Sequence, residues 1–203
     1  MKMIGRLRRK NGFTLVELVA VVAIIGVLAG LLIPTMYNVV INSQIASANH
    51  LAKTIRDRTA EFLTKLDTQM DTHVGGAETV VIKVDNGVWT LTGGSSDDWI
   101  DKVNHWNTLP QVTTSDAGSK RDTELLSYLA VVTQGMGTAY IELHVEYSHV
   151  IGVVLIQGAS QPAYVMPSLQ DMRDGVFDFD GSDKAGRLGD GTVLGTSPIL
   201  SFP

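Results

Sequence analysis

Residues 12–36, GFTLVELVAVVAIIGVLAGLLIPTM, form an apolar run broken by a single charge, Glu17. About 20 consecutive apolar residues make a helix long enough to cross the hydrocarbon of a bilayer, so the run predicts a membrane-length helix over 13–36. Glu17 is the anomaly. An ionisable side chain inside such a segment is costly to insert, and that cost marks it as a functional residue. Ahead of the run lies MKMIGRLRRKNG, in which Lys2, Arg6, Arg8, Arg9 and Lys10 are the only charges. Positive charge before an apolar span holds that end in the cytoplasm.

Within the run, Gly26 and Gly30 make a G-x-x-x-G pair of the kind that lets helix backbones approach in lipid. Glycine and alanine are also simply common in membrane helices, so the pair stays open between the two readings. Pro34 lacks an N–H and clashes with the carbonyl four residues earlier, which predicts a kink or local opening there. Beyond it the pattern becomes amphipathic. Ile41, Ile45, Ala48, Ala52, Ile55, Phe62 and Leu66 recur at helical spacing with polar residues between them. The helix is therefore expected to continue over 37–67, its apolar stripe lying against a head formed by residues 68–203.

The head reads as α+β. TVVIKV and VWTLT flank Asn86-Gly87, a strong hairpin signal. DDWIDKVNHW (97–106) and TELLSYLAVV (123–132) read as short helices, the second with a buried strand as its alternative. In TAYIELHVEYSHVIGVVLIQ, Ile141, Leu143, Val145 and Tyr147 alternate with Glu142, His144 and Glu146. That alternation predicts a strand with one buried and one wet face, turning near Ser148-His149 into a second strand. After Pro162 the chain is rich in glycine and aspartate and is expected to be loop.

The smaller signals are weak. Asp178, Asp180 and Asp183 cluster oxygen ligands at calcium-like spacing, but the run lacks the glycine and the distal glutamate of an EF-hand. A solvated acidic loop, with no metal or other cofactor, is the expectation, and a calcium site is the alternative. Among the histidines, His144 and His149 flank the expected turn and read as an ordinary exposed pair. Trp89, Trp99 and Trp106 read as core residues, with sugar stacking the alternative if they were exposed. No nucleophile elbow, Walker or dinucleotide fingerprint occurs, and no acid/base couple stands out, so an enzyme is not expected.

Gly12-Phe13-Thr14-Leu15-Val16-Glu17-Leu18, behind its basic leader, resembles the class III signal of the type IV pilin and type II secretion pseudopilin superfamily. No A-x-A-like site follows the apolar core as it would in a secretory signal peptide. The resemblance covers the leader and roughly the first third of the chain. It implies that a prepilin peptidase cuts after Gly12 and that Phe13 becomes the N-methylated first residue. It also implies that Glu17 serves subunit assembly and that Pro34 is a site of helix loss in the filament. The fold implied is the pilin fold, a long helical spine packed on a small antiparallel sheet.

The expected function is that of a structural subunit in an extracellular filament used for adhesion, motility or surface contact. Before assembly it would be a single-pass protein of the cytoplasmic membrane with its N-terminus inside. The partners implied are the peptidase, other pilin subunits, the assembly machinery and membrane lipid. A secretion or competence pseudopilin is the alternative within the class. A membrane-anchored adhesin that never polymerises is the alternative outside it.

The 203 residues contain no cysteine, so unlike many pilins the C-terminal region must close by packing, hydrogen bonds or a metal. Cleavage after Gly12 would remove five of the 16 basic residues and leave 11 against 21 acidic ones, a formal charge of −10. A chain so acidic is not expected to bind nucleic acid.

Overall fold

The computed structural model describes residues 13–70, 76–85, 88–92, 120–133, 136–159, 161–162, 164–178, 186 and 192–202. The basic leader with Gly12, the Asn86-Gly87 turn, the expected helix at 97–106 with Trp99 and Trp106, and Asp180 and Asp183 lie outside the described residues. The chain divides into two compact units, Met1–Asn42 and Ser43–Pro203.

Helix α1 (Leu15–Met70) begins at the apolar run and belongs to both units. In the first unit its large apolar side chains, from Leu15 through Val40, are exposed all round. The segment is long and apolar enough to cross a membrane, and a helix apolar on every side calls for lipid or other helices around it. The helix is continuous across Pro34, where the sequence suggested a kink or an opening. One turn of it is supplemented by the Thr35 hydroxyl, which donates to the Leu32 carbonyl at 2.8 Å.

In the second unit the amphipathic stripe is realised. Ala48, Ala52, Ile55, Thr59, Phe62 and Leu63 are buried along one face of α1. Thr59, the polar member, satisfies itself by donating to the Ile55 carbonyl at 2.9 Å. Burial of the larger apolar side chains stabilises the fold by about 1.5–3 kcal/mol each on transfer scales.

The stripe packs on a five-stranded antiparallel sheet. Its strands are β1 (Ala77–Asp85), β2 (Val88–Thr92), β3 (Thr138–Glu146), β4 (His149–Gln157) and β5 (Leu194–Ser197), in the order β2-β1-β3-β4-β5. Period-two alternation sends Val80, Ile82 and Val84 of β1 and Ile141, Leu143 and Val145 of β3 to the α1 face. Helix α2 (Lys120–Ala130) joins that layer through Leu125, Leu126 and Leu129. It is the helix rather than the strand of the two readings open for that run. Trp89 is a core residue, as expected.

The opposite face is not wet. It carries a second apolar cluster of Tyr140, Val154, Ile156, Met172, Phe177, Leu194 and Leu200. The cover comes from helix α3 (Leu169–Asp174) and the C-terminal segment, which the sequence reading took for loop. Ser168 and Asp171 form a reciprocal capping box at the start of α3, and Gly175 closes its end with a left-handed backbone. Val176 bridges Ser201 in parallel, while Phe177 and Phe202 meet edge to face at 6.3 Å. Two expectations for β3 are corrected as a result. His144, expected on a wet face, is 3% exposed beneath this cover. Tyr147, expected in the core, is exposed, because the two-residue turn falls on Tyr147-Ser148, one residue earlier than expected.

Candidate functional site

The features that drew attention in the sequence sit at the start of α1. Phe13 and Thr14 precede the helix, and Phe13 is 84% exposed. Thr14 is placed as the N-cap residue and Glu17 as the third helical position. Glu17 Oε2 accepts the Thr14 backbone N–H at 2.9 Å and the Thr14 hydroxyl at 2.8 Å. The Glu17 N–H donates back to the Thr14 hydroxyl oxygen at 3.3 Å. These contacts make a capping box, T-x-x-E, whose reciprocal bonds satisfy helix-end donors. The sequence reading assigned Glu17 an intermolecular partner and missed this one. The T-x-x-E spacing was the available signal.

The carboxylate is therefore not bare within its own chain. It remains the one charged side chain over Leu15–Met36 of α1, with apolar neighbours on every side. Such a group can hold a fixed axial relation to a cation on another helix, because leaving a charge unpaired in a low dielectric costs several kcal/mol. Gly26 and Gly30 have nothing within 4 Å of where a Cβ would sit, so both present open backbone to a neighbour. Asp178 is exposed, and among the described residues no group of acidic or histidine side chains could hold a metal ion.

The head contains a largely buried polar row, in which Glu142 and His144 were expected to face solvent. The Tyr140 hydroxyl donates to Glu142 Oε1 at 2.6 Å, and Glu142 Oε2 lies 3.6 Å from His144 Nε2. His144 Nδ1 meets the Thr79 hydroxyl of β1 at 3.1 Å, while Nε2 has no hydrogen-bond partner among the described residues. Burial raises the Glu142 carboxyl above its ordinary range even though the Tyr140 bond opposes it. Burial also lowers His144, against the pull of the Pro167 carbonyl and Asp171. His144 and His149 are not a pair: across the hairpin His144 faces Gly152, and His149 faces Glu146. A separate cleft of about 300 Å³ is lined, among the described residues, by Gln44, Ser47, Gln157, Thr192 and Val193.

Comparison with known proteins gives three findings. A family described as "Domain of unknown function (DUF5021)" matches residues 45–201, and the "Prokaryotic N-terminal methylation motif" matches residues 7–33. The chain is 30% identical over 98 residues to the type IV major pilin protein PilE of Neisseria gonorrhoeae, covering 43% of this chain and 59% of that protein. The chain thus spans about three fifths of the length of the curated relative it matches. No solved structure matches.

Proposed function

We infer that this chain, which belongs to the DUF5021 family and is type IV pilin-like, is a structural subunit cleaved after Gly12 and assembled through α1 into an extracellular filament. The observation that carries the reading is Glu17, the lone charge in a helix segment whose apolar surface is exposed all round. As a precursor it is anchored in the membrane by that segment, and the basic leader favours a cytoplasmic N-terminus.

Cleavage would free the α-amine of Phe13, cationic near neutral pH with a reference pKa of about 8. Once the surrounding medium is apolar, that amine and a neighbour's Glu17 neutralise one another. The axial separation of Phe13 and Glu17 within one chain then fixes how far one subunit is displaced along the next. Two extended residues and two helical steps put it on the order of 10 Å. Glu17 then acts as a ruler, and dispersion between apolar helices, with close approach at Gly26 and Gly30, supplies the adhesion. The partners on this reading are a prepilin peptidase, further subunits and a filament-assembly machine.

Mass spectrometry of the membrane-extracted or filamentous protein tests the processing step. The expected N-terminus is Phe13 carrying one methyl group. An intact leader in assembled protein, or a terminus beyond Pro34, contradicts the reading.

A further inference from the structure

The turn between β3 and β4 consists of Tyr147 and Ser148, and both have left-handed backbones, with φ of 46° and 61°. Two-residue hairpins of this kind favour Asn-Gly, which adopts positive φ with little strain. In the sequence, Asn86-Gly87 stands between β1 and β2. At the β3–β4 tip the chain instead places a bulky aromatic residue where side chains with a Cβ are rarely found. Such strain persists where the surroundings enforce it and tends to collect at functional positions.

Most of the Tyr147 side chain lies outside the packed fold. Tyr147 is 69% exposed and is the exposed aromatic of the head among the described residues. Its amide donates to the Gly76 carbonyl at 3.1 Å, a bond that any residue other than proline would make. His149 is exposed beside the turn, and Glu146 across the hairpin is paired with Arg173 of α3. A single exposed ring is too small to centre a protein interface, which takes roughly 800 Å² per partner with an apolar middle. The chain's net charge of −5 works against an anionic ligand.

We propose that the Tyr147–His149 tip is a contact site for a neutral carbohydrate. The apolar face of a pyranose stacks on the Tyr147 ring, and its hydroxyls bond the phenol and the His149 imidazole. The inference does not depend on polymerisation and holds equally for an anchored subunit.

The test uses the full chain in a sugar-free detergent. Saturation-transfer NMR is run against neutral oligosaccharides ending in glucose, galactose, mannose or N-acetylglucosamine, with sialylated and sulfated ones alongside. At least one neutral oligosaccharide is expected to bind. Tyr147→Asn should weaken that binding at least tenfold while raising the melting temperature by a few degrees, since asparagine tolerates the left-handed backbone. Tyr147→Phe should bind within about threefold of the parent. Three results overturn the proposal: no neutral sugar bound, binding confined to anionic sugars, or unchanged binding in Tyr147→Asn. A lowered melting temperature in Tyr147→Asn also overturns it, because the ring would then be supporting the turn from within.

Discussion

The side-chain oxygen of Asn49, on α1, accepts the backbone N–H of Thr196, on the outermost strand β5, at 2.8 Å. An unpaired sheet edge is a template for unwanted pairing, and here the spine helix occupies part of it. The approach is close. A Cβ on Gly195 would lie 2.4 Å from the Ala48 carbonyl oxygen. Asn49→Leu should therefore leave the Thr196 N–H unpaired, at about 1–3 kcal/mol. Gly195→Ala should cost at least as much, since backbone must move on both sides. Thermal melts of the full chain followed by circular dichroism should show both losses. A Gly195→Ala protein as stable as the parent would mean that helix and edge strand are not held this tightly.

On the opposite face of the sheet, a Cβ on Gly152 would meet the Met172 side chain at 2.6 Å. Met172 is flexible, so the conflict can be relieved from the α3 side. Gly152→Ala alone should destabilise, and Met172→Ala alone should lose its share of buried apolar surface. The double substitution should be less harmful than the sum, with a coupling of about 0.5–3 kcal/mol, typical of residues in contact. Additive effects in the melting curves would show that α3 does not bear on this point of the sheet.

Glu142 and His144 predict opposing responses to acid. The folded state holds His144 below its ordinary value of 6.5. The unfolded chain therefore binds more protons there, and stability is lost as pH falls below about 6.5. Glu142 is held above its ordinary 4.5. Its contribution is fully present below 4.5 and is lost as pH rises through the folded value. Each proton is worth at most about 1.4 kcal/mol per pH unit. Between pH 7 and 5, Glu142→Gln should lose stability on acidification more steeply than the parent, and His144→Gln less steeply. Identical pH profiles for the two variants would show that neither group is perturbed by burial.

Much of this architecture could be read from the residues, and what could not has a physical explanation. The period-3.6 stripe of Ala48, Ala52, Ile55 and Phe62 and the period-two run of Ile141, Leu143 and Val145 each identify an apolar face from local sequence. Local sequence cannot tell whether the other face is also covered. His144 was placed in water because its cover, α3 and the C-terminal segment around Leu200, comes from residues 25–56 positions further on. The signal for α3 lay in Ser168 and Asp171, a capping-box spacing inside a stretch that composition marks as loop. Strand β5 is four residues long and contains glycine, so only its pairing with β4 makes it a strand. At the start of α1, Phe13 and Glu17 stood out as departures from their surroundings. Thr14 did not, although it makes the nearest contacts to the carboxylate.

That contact makes a discriminating experiment available for Glu17. Glutamine at the third helical position can still complete a capping box with Thr14, so Glu17→Gln removes the charge and keeps the local hydrogen bonds. A mere membrane anchor would tolerate the change, because a neutral side chain enters lipid more readily than a carboxylate. A filament subunit that sets its register by pairing Glu17 with a neighbour's Phe13 amine would not. Filaments sheared from cells expressing Glu17→Gln should be absent, with expression, membrane insertion and cleavage after Gly12 close to the parent. Filament yield equal to the parent from Glu17→Gln would contradict the account.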